Sequence, residues 1–237
     1  MSQIKVELLG YMASDKIIAG AAWTSTTSNE DKELKTDDQI ASLVNRLAHE
    51  KHGVPFEHCV FRFHIKLPIA IDRQLVKHRI AAHSGMSGRY RTMPLEYLEV
   101  ADDVIDIIEK INDNTMPSFN ENYNNALEAY YEVCEKANSY YRRFMTLAKE
   151  SKALGLIDNN EYKRFREFFR GILPQHQMTE TVFTINLRSL ANFLKFRMKP
   201  EAQLEIQEIA EQMYKLIKDS GCCPAAIESL ERNGWQI

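Results

Sequence analysis

From His58 to Leu67 the chain alternates. Cys59, Phe61, Phe63, Ile65 and Leu67 are apolar, and Arg62, His64 and Lys66 stand between them behind His58. A period of two predicts a strand with one apolar and one polar face. Ile4 to Tyr11 and Gln177 to Ile185 read as further strands. Elsewhere the apolar positions recur every three to four residues, which predicts helices. Two cover residues near 16–28 and 36–49, the second burying Leu43 and Leu47. Pro68 can open the next helix at its first turn. That helix, IAIDRQLVKHR, is expected to close at Lys77, His78 and Arg79, with a flexible AAHSGMSG after it. Within it Arg73 and Lys77, and Gln74 and His78, are four apart and share a face.

The middle of the chain is also helical in pattern. Ser118 and Glu121 are spaced as a capping box. Phe119, Tyr123, Ala126, Tyr130, Cys134, Ala137, Tyr141, Phe144 and Ala148 then hold helical spacing until Gly155 stops it. Shorter helices are expected at about 159–170, 187–197 and 201–218, the last ending near Gly221. No repeat, low-complexity run or long linker breaks the chain. The simplest architecture is one helix-rich α+β domain over 1–237, with 103–165 largely helical.

The 237 residues are 44% apolar, enough for a real core. No apolar run approaches the ~20 residues that cross a bilayer, so no membrane partner is expected. MSQIKVELLG lacks the basic and apolar regions of a secretory signal. The four cysteines, Cys59, Cys134, Cys222 and Cys223, form no C-x-x-C pair. Free thiols in a reducing cytoplasm are the expectation.

Charge changes the picture locally. The net charge is −3, which argues against a nucleic-acid partner. Yet from Arg62 to Arg91 seven cations face the single acid Asp72, a local +6 that leaves −9 on the rest. A cation cluster on an acidic chain suits a site for phosphates or carboxylates, unless it is a solvated face.

Most familiar chemistry is missing. There is no H-E-x-x-H and no Cys/His quartet, so no metal is expected. No G-x-S-x-G, G-x-G-x-x-G or P-loop occurs. Cys59 and Cys134 sit on apolar faces and read as packing residues. In the helix LRSLANFLKFR, Arg188 and Asn192 share a face, whereas Arg197 is nine residues beyond Arg188 and points roughly the other way. Arginines in an apolar helix usually have planar or anionic partners, so the two could serve two ligands.

These residues resemble the flavin-dependent thymidylate synthases. The family signature is Arg-His-Arg, seven residues, then Ser-Gly-Arg-Tyr. Here Lys77-His78-Arg79 is followed, after seven residues, by Ser87-Gly88-Arg89-Tyr90. HGVPFEHCVFRFHIKLPIAIDRQLVKHR, INLRSLANFLKFR and AQLEIQEIA are also close to the family pattern. The resemblance is strong over about 50–100 and 170–210.

It implies a central antiparallel twisted sheet flanked by helices, and a homotetramer with FAD at subunit interfaces. It implies conversion of dUMP to dTMP, with carbon from methylenetetrahydrofolate and hydride from NADPH through FAD. By position, Lys77, His78 and Arg79 match the FAD-phosphate triplet. Asn186, Arg188 and Asn192 match residues that hold FAD, and His52 one beside the flavin ring. Gln74, Ser87, Gly88, Arg89 and Arg170 match the dUMP pocket. Arg197 matches the arginine on the uracil, and is the expected catalytic group. Gly85 falls where both nucleotide and flavin are touched.

Four positions depart from the family. Lys77 replaces an arginine and loses its bidentate fork. Ser84-Gly85 replaces Asn-Glu, removing a side-chain acceptor. Val54 replaces a threonine that reaches the flavin. These keep open a dUMP hydroxymethylase, which would release the one-carbon adduct unreduced, and a non-catalytic FAD- or nucleotide-binding protein.

Overall fold

A computed structural model of the chain describes residues 3–114 and 126–235. They form two compact units. The first comprises 3–67, 71–85 and 180–235, and the second 68–70, 86–114 and 126–179.

The first unit holds a sheet. β1 (Lys5–Met12) pairs antiparallel with β2 (Val60–Pro68), and β3 (Ala81–Gly85) pairs antiparallel with β4 (Met178–Asn186). The order across it is β1-β2-β4-β3. The alternation seen in sequence is its cause. Phe61, Phe63, Ile65 and Leu67 are buried on β2, while Arg62 is exposed and His64 half-buried between Glu7 and Glu180. His58 lies before the strand, in a 3-10 turn over Val54–His58.

Helices cover the apolar face. α1 (Asp15–Trp23), the short α2 (Asn29–Glu33) and α3 (Asp37–His49) follow β1. Thr36 and Gln39 close a capping box on α3. After β4 come α8 (Leu187–Arg197), α9 (Leu204–Asp219) and α10 (Pro224–Arg232). On α9, Ile206, Ile209, Ala210, Met213 and Ile217 form one buried stripe, and the helix packs on β1. It ends before Gly221, which takes a φ of +61°. The start of α10 is capped from a distance: the Asp15 carboxylate accepts from the Ala225 and Ala226 amides, both at 2.9 Å.

Two local expectations are corrected. α4 (Ile69–Leu75) is only seven residues long. Lys77, His78 and Arg79 lie past its end, because Lys77 N–H donates to Gln74 O (3.2 Å) and His78 N–H to Leu75 O (3.1 Å). Such three-residue bonds tighten the chain and end the helix. AAHSG is not a flexible loop but β3, laid against β4 with Ala81 opposite Ile185 and Gly85 opposite Thr181.

The second unit is built on α5 (Asp102–Asn114), the long α6 (Ala126–Ala153) and α7 (Asn159–Phe169). Gly155, with a φ of +71°, turns the chain after α6, and Asp158 and Glu161 cap α7 reciprocally. Tyr141, Met145, Met93 and Leu173 form its core. The expected capping box at Ser118 and Glu121, with Phe119 and Tyr123, lies outside the described residues.

Candidate functional site

The first unit carries a cleft of about 600 Å³. Three stretches supply all its charged side chains, and Trp235 also lines it. Lys77, His78 and Arg79 come from the turn after α4. Arg188, Asn192 and Lys195 come from α8, where a spacing of four and then three puts them on one face. Lys51 and Glu57 come from the segment before β2. The lining thus has five Lys/Arg side chains and one acid. A concave surface with that balance raises the local concentration of anions.

Arg188 is held in place on two sides. Its Nη1 donates to Glu57 Oε1 at 2.6 Å. A Cβ on buried Gly53 would lie 2.6 Å from Arg188 Nε and 2.9 Å from its Cδ and Cζ. Only a glycine lets the guanidinium lie across that backbone. Asn186 is the N-cap of α8, and its Oδ1 accepts from the Ser189 amide at 2.8 Å. That bond fixes the helix start from which Arg188 projects.

Arg197 is placed differently. Its Nε donates to His78 Nε2 at 3.3 Å. The His78 ring stands roughly perpendicular to that of Phe193, with centroids 4.8 Å apart at 81°. Burial, then the Arg197 and His83 charges, push His78 down to about 4, so it is neutral near pH 7. A neutral ring that accepts at Nε2 carries its proton on Nδ1. His83 on β3 and Asp72 on α4 lie behind. Burial holds His83 below and Asp72 above their ordinary values, and the His83 ring nitrogens and Asp72 Oδ1 are buried with no hydrogen-bond partner.

The second unit carries the other cationic group. Ser87 opens a turn: its carbonyl accepts from the Tyr90 and Arg91 amides at 3.1 and 3.0 Å, and its Oγ from the Arg89 amide at 3.4 Å. Arg89 Nε pairs with Glu167 Oε1 at 2.6 Å and its guanidinium lies 5.5 Å from the Tyr90 ring centre. A Cβ on Gly88 would meet Arg170 Cδ at 3.0 Å and Met93 at 3.4 Å. Glycine there admits the Arg170 stem across the turn. The structure therefore brings Ser87, Gly88, Arg89 and Arg170 together.

Of the remaining expected site residues, His52, Gln74 and Gly85 also stand outside the cleft lining. His52 is exposed and pairs with Glu50 at 3.8 Å. Gln74 Nε2 donates to Gln203 Oε1 at 2.6 Å. Gly85 sits on β3, where a Cβ would find nothing nearer than Glu180 O and Thr181 Oγ1 at 3.9 Å. A side chain would fit at that position. Sequence reasoning missed Gly53, Glu57, Lys51, Lys195 and Glu167. Lys195 could have been found, three residues beyond Asn192 on the face of Arg188. Among the described residues no three His, Cys, Asp or Glu side chains gather to hold a metal ion. Burial pushes the Cys59 thiol up to about 11 and also raises Cys134, which suits packing rather than attack.

Comparison with known proteins follows the same outline. A family profile described as thymidylate synthase complementing protein matches residues 7–224. The flavin-dependent thymidylate synthase of Rickettsia bellii is 32% identical over 221 residues, covering 90% of this chain and 71% of the relative. That of Thermotoga neapolitana is 31% identical over 235 residues, covering 98% and 92%. Among solved structures, the UMP/dUMP methylase PolB from Streptomyces cacaoi bound with 5-Br dUMP shares the fold, with a TM-score of 0.68. It is 24% identical, and the match covers 99% of this chain and 97% of that one. The chain belongs to the thymidylate synthase complementing protein family, that of the flavin-dependent thymidylate synthases.

Proposed function

We propose that this enzyme is a flavin-dependent thymidylate synthase that converts dUMP to dTMP, with methylenetetrahydrofolate giving the carbon and NADPH the reducing equivalents. The observation that carries this reading is the cleft in which Lys77, His78 and Arg79 meet Arg188 and Asn192, five Lys/Arg against one acid.

Lys77, Arg79, Arg188 and Asn192 fit FAD. The cleft has ligand size, its cations suit a pyrophosphate, and Asn192 and Ser189 add uncharged polar contacts. Gly53 gives Arg188 its close approach. FAD, when bound, supplies the hydride. Arg188 and Asn192 would hold it from α8 and Lys77 and Arg79 from the turn after α4, with Asn186 fixing the helix start. Lys77 offers a point charge instead of a fork.

The remaining roles concern the nucleotide. Arg89 and Arg170 would take the dUMP phosphate, with Ser87 and the Gly88 backbone beside them. Gln74 would give up its bond to Gln203 to reach substrate. Arg197 would contact the uracil and favour its N3-deprotonated form. Charge developing on a base is stabilised by a preplaced cation where water is excluded. The bonding partner of Arg197 is a neutral imidazole, so its charge is not cancelled.

The open space at Gly85 supports one alternative, release of the one-carbon adduct as a hydroxymethyl nucleotide. An omission series tests the main reading. Product should form only when FAD, NADPH, methylenetetrahydrofolate and dUMP are all present. Product formed equally well without the reductant would favour the hydroxymethylase.

A further inference from the structure

The family resemblance puts His78 with two cations on a phosphate. The structure gives it another neighbour. Arg197 Nε donates to His78 Nε2 at 3.3 Å. Phe193, fully buried and one turn before Arg197 on α8, lies against the imidazole with its ring roughly perpendicular to it. One helix face therefore holds the His78 ring at two points, a ring contact and a hydrogen bond.

We propose that His78 is a positioning residue for Arg197: its Nε2 accepts the Arg197 Nε–H and fixes the plane in which the guanidinium meets the nucleotide base. This rests on the reading of Arg197 as the base contact. A guanidinium on a flexible stem has many orientations in water. One acceptor at Nε leaves both terminal nitrogens free to donate while removing that freedom. Carboxylate would fix Arg197 as well, but would offset its charge. A neutral imidazole fixes it and leaves the charge intact.

The surroundings favour that neutral form. The charged and titratable groups facing His78 are Arg197 from α8 and His83 from β3, with Lys77 and Arg79 flanking it in the chain. Asp72 acts on His83. A protonated His78 would lose its acceptor and repel Arg197. So within the triplet, Lys77 and Arg79 supply charge to the cleft. His78, which also lines it, joins the cleft to Arg197.

Three variants separate this role from a phosphate contact. His78→Gln places an oxygen near Nε2. His78→Asn places one near Nδ1, out of reach of Arg197. His78→Lys supplies a cation and no acceptor. Each would be reconstituted with FAD, its flavin content measured, and its turnover followed. A misplaced group costs roughly 100-fold in rate, so kcat should fall about that far in the Asn and Lys variants. The Gln variant should stay within about 5-fold of wild type, and flavin content should hold in all three. Recovery by Lys but not Gln, or equal loss in Gln and Asn, overturns the proposal.

Crystal structures of the same variants give a readout that needs no turnover. Arg197 should bond to residue 78 in wild type and the Gln variant, and be displaced in the Asn and Lys variants. An unmoved Arg197 in all of them also overturns the proposal. If wild type makes no methylated nucleotide from dUMP, the proposed function fails, and these structures still decide the role of His78.

Discussion

A guanidinium can stabilise a developing uracil anion only if its own charge is not already cancelled. Arg197 meets that condition through His78, and Arg188 does not, being paired with Glu57. The two arginines should therefore fail differently. Arg197→Ala should lose methyl transfer by roughly 100-fold or more in kcat, as for removal of one oriented charge-stabilising donor, and keep its FAD. Arg188→Ala should lose the yellow cofactor on purification; unchanged flavin stoichiometry would make Arg188 merely structural. Gly53→Ala tests the same grip from behind. Its backbone, at φ −71° and ψ −27°, accepts alanine, but the Arg188 side chain must move. Stability should change little while flavin affinity falls about tenfold, which is ~1.4 kcal/mol; unaltered affinity would mean that Arg188 has other ways to reach its ligand.

His78 also predicts a pH dependence. Its folded value, about 4, lies below the ordinary value of 6.5. A base depressed on folding binds more protons when unfolded, so stability rises with pH between those values and is lost as pH falls from about 6.5 to about 4. Urea unfolding of wild type against His78→Gln should show a gap that narrows across that window on acidification. A constant gap would mean that the folded histidine takes up its proton as readily as the unfolded one.

At the scale of elements, what was legible depended on where the bonds go. β2, α3, α7 and α8 carry their own signals: alternation, capping residues, a helical apolar stripe. β3 does not. Ala81, Ala82, His83, Ser84 and Gly85 have little strand propensity, and their extended form comes from pairing with β4 about a hundred residues away. The early end of α4 is similarly silent, since nothing in VKHR marks it. The candidate site divides along the same line. The cations were readable because their spacing is local. Glu57, Gly53 and Glu167 were not, because each matters only through a partner 78 to 135 residues distant. The helix α10 was also unread, and its cap comes from Asp15 on α1. Asp15→Ala should cost about 1–2 kcal/mol, as for loss of an N-cap, seen as a lower thermal midpoint. An unshifted midpoint would make that cap dispensable.

At the scale of the whole molecule, the cationic groups fall into two sets, one in each compact unit: the cleft of the first, and Ser87 to Arg89 with Arg170 in the second. The dense basic stretch from Lys77 to Arg91 contributes to both. On the proposed function, that division accounts for such a stretch on a chain of net charge −3. We also propose that the protein is a homotetramer. Light scattering on the purified protein should give the mass of four chains, and a stable monomer with full turnover would remove the proposal of sites at subunit interfaces. The central claim is reductive methylation of dUMP, and the mass of the nucleotide product tests it most directly. Protein supplied with FAD, NADPH, methylenetetrahydrofolate and dUMP should yield a nucleotide heavier by one methylene. A hydroxymethyl product, or dUMP returned unchanged by a protein that binds both FAD and dUMP, would contradict it.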